Sequence, residues 1–194
     1  MMAQFQQDKG KLDLTPKRFN MWLFLFTSFM FFAALTSGFI VYIGGKGHGL
    51  SIKMPDAFMY STAIIMVSSV SMFFASKAAK QSDVSKQRLF IWITLLLGVA
   101  FFAMQVYAWN VLTFKMHAWF VNANAAISFV YVFSVMHLLH ILAGLVLLII
   151  SLVGTYRKKP QAINLFRMEM SSLFWHFVDI IWIYLYVFLL LNQN

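Results

Sequence analysis

Glu169, Ser172, His176 and Asp179 are the polar residues most able to do chemistry in this chain. At 100° per residue on an α-helix they fall within an arc of roughly 80°, so they share one face. His176 and Asp179 stand at i and i+3, close enough to meet there. The surroundings are apolar: Ser172 to Trp182 reads SLFWHFVDIIW, and the apolar run continues to Leu191. A carboxylate and an imidazole inside a membrane span are expensive, and the default reading is a site. At about 1.5 Å of rise per residue, Asp179 lies about 15 Å beyond Glu169, near mid-membrane depth. Such a face must point at protein, water or a bound head group. The structural reading is a satisfied His176–Asp179 pair that, with Glu169, pins this helix against the helix before it. The functional readings are binding of a lipid head group, with Arg167 and Trp175 on the same stretch, or a proton relay.

A second pair, His137 and His140, stands at i and i+3 in MHLLHILAG. Approached from the other side of the membrane, it also lies near mid-depth. The two clusters could form one buried layer between the helices that carry them. A helical His pair can bind metal, but zinc and haem need further ligands and room around them. No Glu-x-x-His pattern of a di-iron bundle accompanies it, so hydrogen bonding within the protein is the expected role of both histidines. His48 and His117 fall in loops. Cysteine is absent, which excludes a disulfide framework, thiolate metal sites and C-x-x-C-H haem attachment.

The elements that position these residues are membrane spans. The chain is 61% hydrophobic and 11% charged, where soluble domains carry roughly 25% charged residues. Five stretches reach the ~20 residues a span needs: about 20–44, 57–76, 89–109, 125–153 and 168–191. The expected fold is all-α, a single bundle of five transmembrane helices over residues 17–194 behind a polar cytoplasmic arm, 1–16. The first span is too long for a signal-peptide core and lacks a clear cleavage site, so it reads as retained. Pro16 suits the first turn of span 1. The glycine-rich run Gly44–Gly49 reads as a turn ending that span, since it lacks the strand-loop-helix context of a nucleotide loop. Small and hydroxyl residues should carry the helix contacts. Span 1 offers Ala33, Ala34 and Gly38, span 2 offers Ser61, Thr62, Ser68, Ser69 and Ser71, and span 4 offers Ala143 and Gly144.

The net charge of +9 is a topology signal rather than a nucleic-acid footprint. Of 15 basic residues, only Lys46, Lys53 and Lys115 lie on one side. The other side holds Lys9, Lys11, Lys17 and Arg18 before span 1, Lys77, Lys80, Lys86 and Arg88 after span 2, and Arg157, Lys158, Lys159 and Arg167 after span 4. The positive-inside rule puts the N-terminus in the cytoplasm and the C-terminus outside.

The core Trp175, His176, Phe177, Val178, Asp179 resembles the signature of the last helix of subunit III of haem–copper respiratory oxidases. Glu169 stands seven residues before His176, as a family Glu does. His137, His140 and Gly144 match the family's H-x-x-H-x-x-x-G, Gln105 falls where Gln is common, and Pro55 with Ser68 and Ser69 matches more loosely. Short members have five helices and lack the first two of the seven-helix form, in keeping with the charge-based topology. The chain departs from the family in four places. Phe29 follows Ser28 where many members have Glu, Ala108 replaces a second Glu, and Val135 and Leu138 replace glycines flanking the first His.

The resemblance implies an accessory subunit of a proton-pumping oxidase of cytochrome c or quinol. It has no redox centre or active site of its own, and it sits in a bacterial cytoplasmic membrane. Its partners would be the catalytic subunit I, which holds the haems and copper, subunit II and further respiratory complexes. Structural phospholipid would bind between its helices, and the subunit would sustain proton uptake. Two other classes fit the residues alone. One is a small haem b, quinone-linked carrier using His137 or His140 with His176. The other is a proton-coupled transporter using Asp179, which the lack of an internal repeat disfavours. The charge asymmetry makes a direct prediction. Reporter fusions at Lys80 and Lys158 should read cytoplasmic and one at His117 external, and a cytoplasmic signal at His117 would break the topology.

Overall fold

The computed structural model describes residues 14–46, 54–115, 117–118, 125–157 and 161–193. These residues form five long helices and no β-strand: α1 (Thr15–Lys46), α2 (Asp56–Lys80), α3 (Val84–Asn110), α4 (Ala125–Tyr156) and α5 (Gln161–Leu191). All five are long and apolar enough to cross a membrane. Each outruns its apolar stretch, because hydropathy marks the hydrocarbon whereas caps and prolines mark helix ends. Thr15 and Pro16 therefore belong to α1, not to a polar arm, and Gly44 and Gly45 lie in its last turn rather than in a loop. The rest of the expected arm and of the glycine-rich run, with His48, falls outside the described residues.

Local chemistry explains the other ends. Pro55 precedes α2, with no side-chain cap. The α2–α3 turn is tight: Ser82 takes a left-handed φ of 59°, and its N–H donates to Ala79 O at 3.1 Å. Asp83 then caps α3 by accepting from Lys86 N at 3.1 Å. This capping and the Lys86 ammonium hold the Asp83 carboxyl below its usual pKa. At its other end α3 runs into a π-helical turn, Val111–Lys115, which the sequence reading did not anticipate.

The packing order is a ring with one helix outside it. Helices α2, α3, α4 and α5 contact one another cyclically, whereas α1 touches only α4 and α5 among the described helices. It does so through Leu25, Ser28, Phe32, Thr36 and Phe39, all buried. Their spacing of three and four residues is one helical stripe. Ala33, Ala34 and Gly38 lie on the exposed side of α1, contrary to the expectation that its small residues would pack. The aromatic stripe fills the groove between α4 and α5, and no close backbone approach is needed there.

Close approach is needed at the centre of the ring. Trp175, 1% exposed, reaches from α5 between α3 and α4. A Cβ on Gly98 of α3 would stand 2.8 Å from its indole, and one on Gly144 of α4 3.0 Å. Both glycines are the clearance for one ring. Across this ring, indole N–H groups tie helices to hydroxyls. Trp175 donates to Ser68 Oγ at 3.0 Å, Trp182 to Thr62 Oγ1 at 3.0 Å, and Trp109 of α3 to Ser134 Oγ of α4 at 2.9 Å. The Thr62 and Ser134 hydroxyls give their own protons to carbonyls of their own helices, Phe58 O and Val130 O, leaving lone pairs for the indole. Interhelical bonds of this kind average about 0.6 kcal/mol in membrane proteins, so they set rotation and register more than they set stability.

Gly98→Ala should therefore destabilise the bundle. Overpacking of this sort costs about 1–3 kcal/mol, and thermal unfolding in detergent should show a lowered midpoint. Adding Trp175→Leu, which vacates the ring position, should recover part of the loss relative to Trp175→Leu alone.

Candidate functional site

Ties from several faces of α5 reach three helices. Glu169 accepts from Arg18 Nη2 of α1 at 2.8 Å. Ser171 Oγ lies 2.8 Å from Ser151 Oγ of α4. One turn on, Trp175 and His176 reach adjacent serines of α2, with His176 Nδ1 2.7 Å from Ser69 Oγ. Tyr184 O–H donates to Thr36 Oγ1 of α1 at 3.0 Å. Glu169 and His176 thus hold α5 to α1 and α2, not to α4 as the sequence reading had it. The expected His176–Asp179 pair is not formed either. A serine on a neighbouring helix offers the imidazole a straighter bond than a carboxylate one turn along its own helix.

Asp179 sits inside the ring, 2% exposed, and neither carboxyl oxygen has a hydrogen-bond partner among the described residues. Ser69, whose hydroxyl meets His176 Nδ1, also stands near this carboxyl. The same absence of partners holds for both nitrogens of His137 and for Gln105 Oε1. Unpaired buried polar atoms cost about 1–3 kcal/mol each. Their persistence inside a membrane bundle singles out this interior polar layer.

The two histidines of α4 diverge. His137, fully buried, packs on Trp182 at 4.8 Å with the rings tilted by 33°, and edge-on to Phe101 at 5.7 Å. It approaches α5 as the expected layer required, but through rings and not through the hydrogen bond foreseen for it. His140 turns outward to α1. Its Nδ1 lies 2.8 Å from Met136 O, its Nε2 3.3 Å from Ser28 Oγ, and its ring packs on Phe32 at 5.2 Å. His137, His140 and His176 therefore face three different neighbours, and aromatic rings fill the space beside His137 where a porphyrin would need to stand. Among the described residues no three His, Cys, Asp or Glu side chains converge as a metal site requires. His117 is exposed, with a left-handed φ of 50°.

Arg167 lies over α4, where a Cβ on Gly154 would stand 3.2 Å from its Nη1. It also lines a cavity of about 200 Å³ that includes Lys17, Met21 and Leu147. These three residues recur in the wall of a neighbouring cavity of about 540 Å³ with Asn20, Phe24 and Phe174. The two form one groove between α1 and the α4–α5 pair, apolar along its length and basic at its N-terminal end. Arg88 is a further functional residue that sequence reasoning treated only as topology charge. Its Nη2 donates to Thr155 O at 2.6 Å, its Nε donates to Thr155 Oγ1 at 3.2 Å, and its guanidinium covers the Tyr156 ring at 4.2 Å. It therefore caps the C-terminus of α4, where a cation suits the free carbonyls. Its position in the first turns of α3, just after a capped turn, was the available signal.

The family model described as cytochrome c oxidase subunit III matches residues 3–192. The chain is 26% identical over 90% of its length to cytochrome c oxidase subunit 3 of Bacillus sp. strain PS3, covering 85% of that protein. It is 31% identical over 85% of its length to cytochrome bo(3) ubiquinol oxidase subunit 3 of Pseudomonas aeruginosa, covering 79% of it. Its similarity to the bo(3) ubiquinol oxidase subunit 3 of Buchnera aphidicola is 28% identity over 94% of this chain and 89% of that one.

The geometry separates the two partners that His176 could have had. A double-mutant cycle between Ser69→Ala and His176→Phe should give a coupling of about 0.5–1.5 kcal/mol in unfolding free energy. The cycle between His176→Phe and Asp179→Leu should give a coupling near zero, and the reverse pattern would restore the carboxylate–imidazole pair.

Proposed function

Because the chain belongs to the cytochrome c oxidase subunit III family, we propose that it is the accessory, non-redox subunit of a proton-pumping haem–copper oxidase. It works in a bacterial cytoplasmic membrane with its N-terminus inside. The observation that carries this reading is the use made of the signature on α5. Trp175 and His176 go to Ser68 and Ser69, and Glu169 goes to Arg18. The motif is spent on holding five helices in register, as a supporting subunit requires. The chain thereby presents a preformed surface to the catalytic subunit, which carries the haems and copper, and to subunit II and neighbouring respiratory complexes.

The groove between α1 and the α4–α5 pair supports a bound phospholipid. Lys17 and Arg167 offer positive charge for a phosphate at the cytoplasmic end, and the Arg18–Glu169 pair stands beside them. Basic pockets between membrane helices on this side take lipid head groups in this way. Such a lipid holds the loosely packed α1 in place. The interior layer of Asp179 and His137 supports the reading that the subunit sustains proton uptake by its partner. Relatives named for cytochrome c and for ubiquinol oxidases match this chain alike, so choice of electron donor belongs to other subunits.

Purifying the oxidase through a tag on this chain should bring down haem-containing protein. Oxidase from cells lacking the chain should keep its haem spectrum and initial turnover and should lose activity sooner during sustained turnover. Asp179→Leu should leave the haem spectrum unaltered, because Asp179 supports no redox ligand. Loss of the haem signal from an assembled Asp179→Leu complex would show that a catalytic site has been mistaken for a supporting one.

A further inference from the structure

At the end of the bundle that carries the C-terminus, a cavity of about 410 Å³ opens between α2 and α3. Asp56, Tyr60, Tyr107 and Lys115 line it, together with apolar side chains that include Met54 and Met104. It lies at the opposite end from the Lys17–Arg167 groove and shares no residue with it.

The charges are what distinguish it. Asp56 and Lys115 are both exposed and line the same cavity, yet they are not paired. The ion pairs among the described residues are Arg18–Glu169 and Lys86–Asp83. An anion and a cation kept apart across one cavity complement a ligand that carries both signs, with an ammonium for the carboxylate and a phosphate for the lysine.

The backbone on both sides of the cavity is tied down. Lys115 closes the π-helical turn Val111–Lys115, a geometry that recurs at functional sites. Beyond that turn, Ala118 N donates to Leu112 O at 3.0 Å. On the α2 side, Met54 N donates to Gln193 Oε1 at 3.0 Å, tying the cavity rim to the C-terminus. Tyr60 and Tyr107 are exposed, and tyrosine is the residue type that settles at head-group depth in a bilayer. The volume is in the range of a small-molecule site, about 300–1,000 Å³.

We propose that this cavity binds the head group of a zwitterionic aminophospholipid of the phosphatidylethanolamine class. Its phosphate sits at Lys115, its ammonium at Asp56, and the two tyrosines flank it. The chains of the lipid leave along the outer face of α2 and α3, where Met59 and Val106 are already exposed. This inference needs the chain to lie in a bilayer but does not rest on its role in an oxidase.

The test is native mass spectrometry of the intact complex, stripped of lipid and titrated with short-chain phosphatidylethanolamine, phosphatidylglycerol and free phosphoethanolamine. Wild type should bind one equivalent of phosphatidylethanolamine about tenfold more tightly than phosphatidylglycerol, the worth of one charge-assisted hydrogen bond. Asp56→Asn should abolish that preference, and Lys115→Gln should weaken both lipids. Arg167→Gln should leave this equivalent in place while weakening lipid held in the other groove, which keeps the two readings apart. Equal affinity of the wild type for both lipids would overturn the proposal. So would retention of phosphatidylethanolamine by both cavity variants, or competition by free phosphoethanolamine as strong as that of the lipid, which would mark a soluble-ligand site.

Discussion

One buried ring sets the geometry of the bundle. The indole of Trp175 occupies the centre of the four-helix ring only because α3 and α4 each present a glycine to it, Gly98 and Gly144. In lipid, apolar side chains gain little by leaving acyl tails for one another, so shape and polar ties decide how helices meet. A single large ring against two missing side chains is such a shape. Once it is seated, its N–H points at Ser68, and the next residue, His176, falls opposite Ser69. Two successive serines on α2 thus read two successive residues on α5. A helix rotated by one residue would present neither pair.

The rest of the polar chemistry follows from that register. With α5 fixed, Glu169 is carried to Arg18, Ser171 to Ser151, Trp182 to Thr62 and Tyr184 to Thr36. Asp179 is the residue the register leaves over. It is buried, with its oxygens unpaired among the described residues. A supporting scaffold has no structural use for a carboxyl placed so. The tryptophan and the histidine of the motif carry the architecture.

Much of this was legible in the sequence, for identifiable reasons. The number and order of spans, the polar face of α5 and the serines of α2 as packing residues all follow from composition and helical spacing. The misreadings share a cause, because helical spacing says which residues share a face but not which helix that face meets. It brought His176 and Asp179 together when the better partner was Ser69, 107 positions away. It assigned α5 to α4 when its charged end goes to α1. It took Ala33 and Ala34 for contacts when the aromatic stripe of α1 does the packing. The π-turn after α3 and the capping role of Arg88 were also missed. Both depend on backbone geometry at helix ends, where hydropathy carries no signal.

The outlying position of α1 bears on how the protein is made. Of the five helices α1 is made before the others, yet the groove that receives it is formed by the last two of the five, α4 and α5. Until then Phe32, Phe39 and Ser28 have no protein to face, and α1 must wait as a lone helix in the bilayer. It is equipped to wait. Its remaining surface, with Phe19, Trp22, Phe26 and Phe29, is as apolar as the stripe it will bury, so lipid can cover it all round. The ring of α2 to α5 makes its contacts without it, and the ties from Arg18, Ser28, Thr36 and Tyr42 all reach α4 or α5.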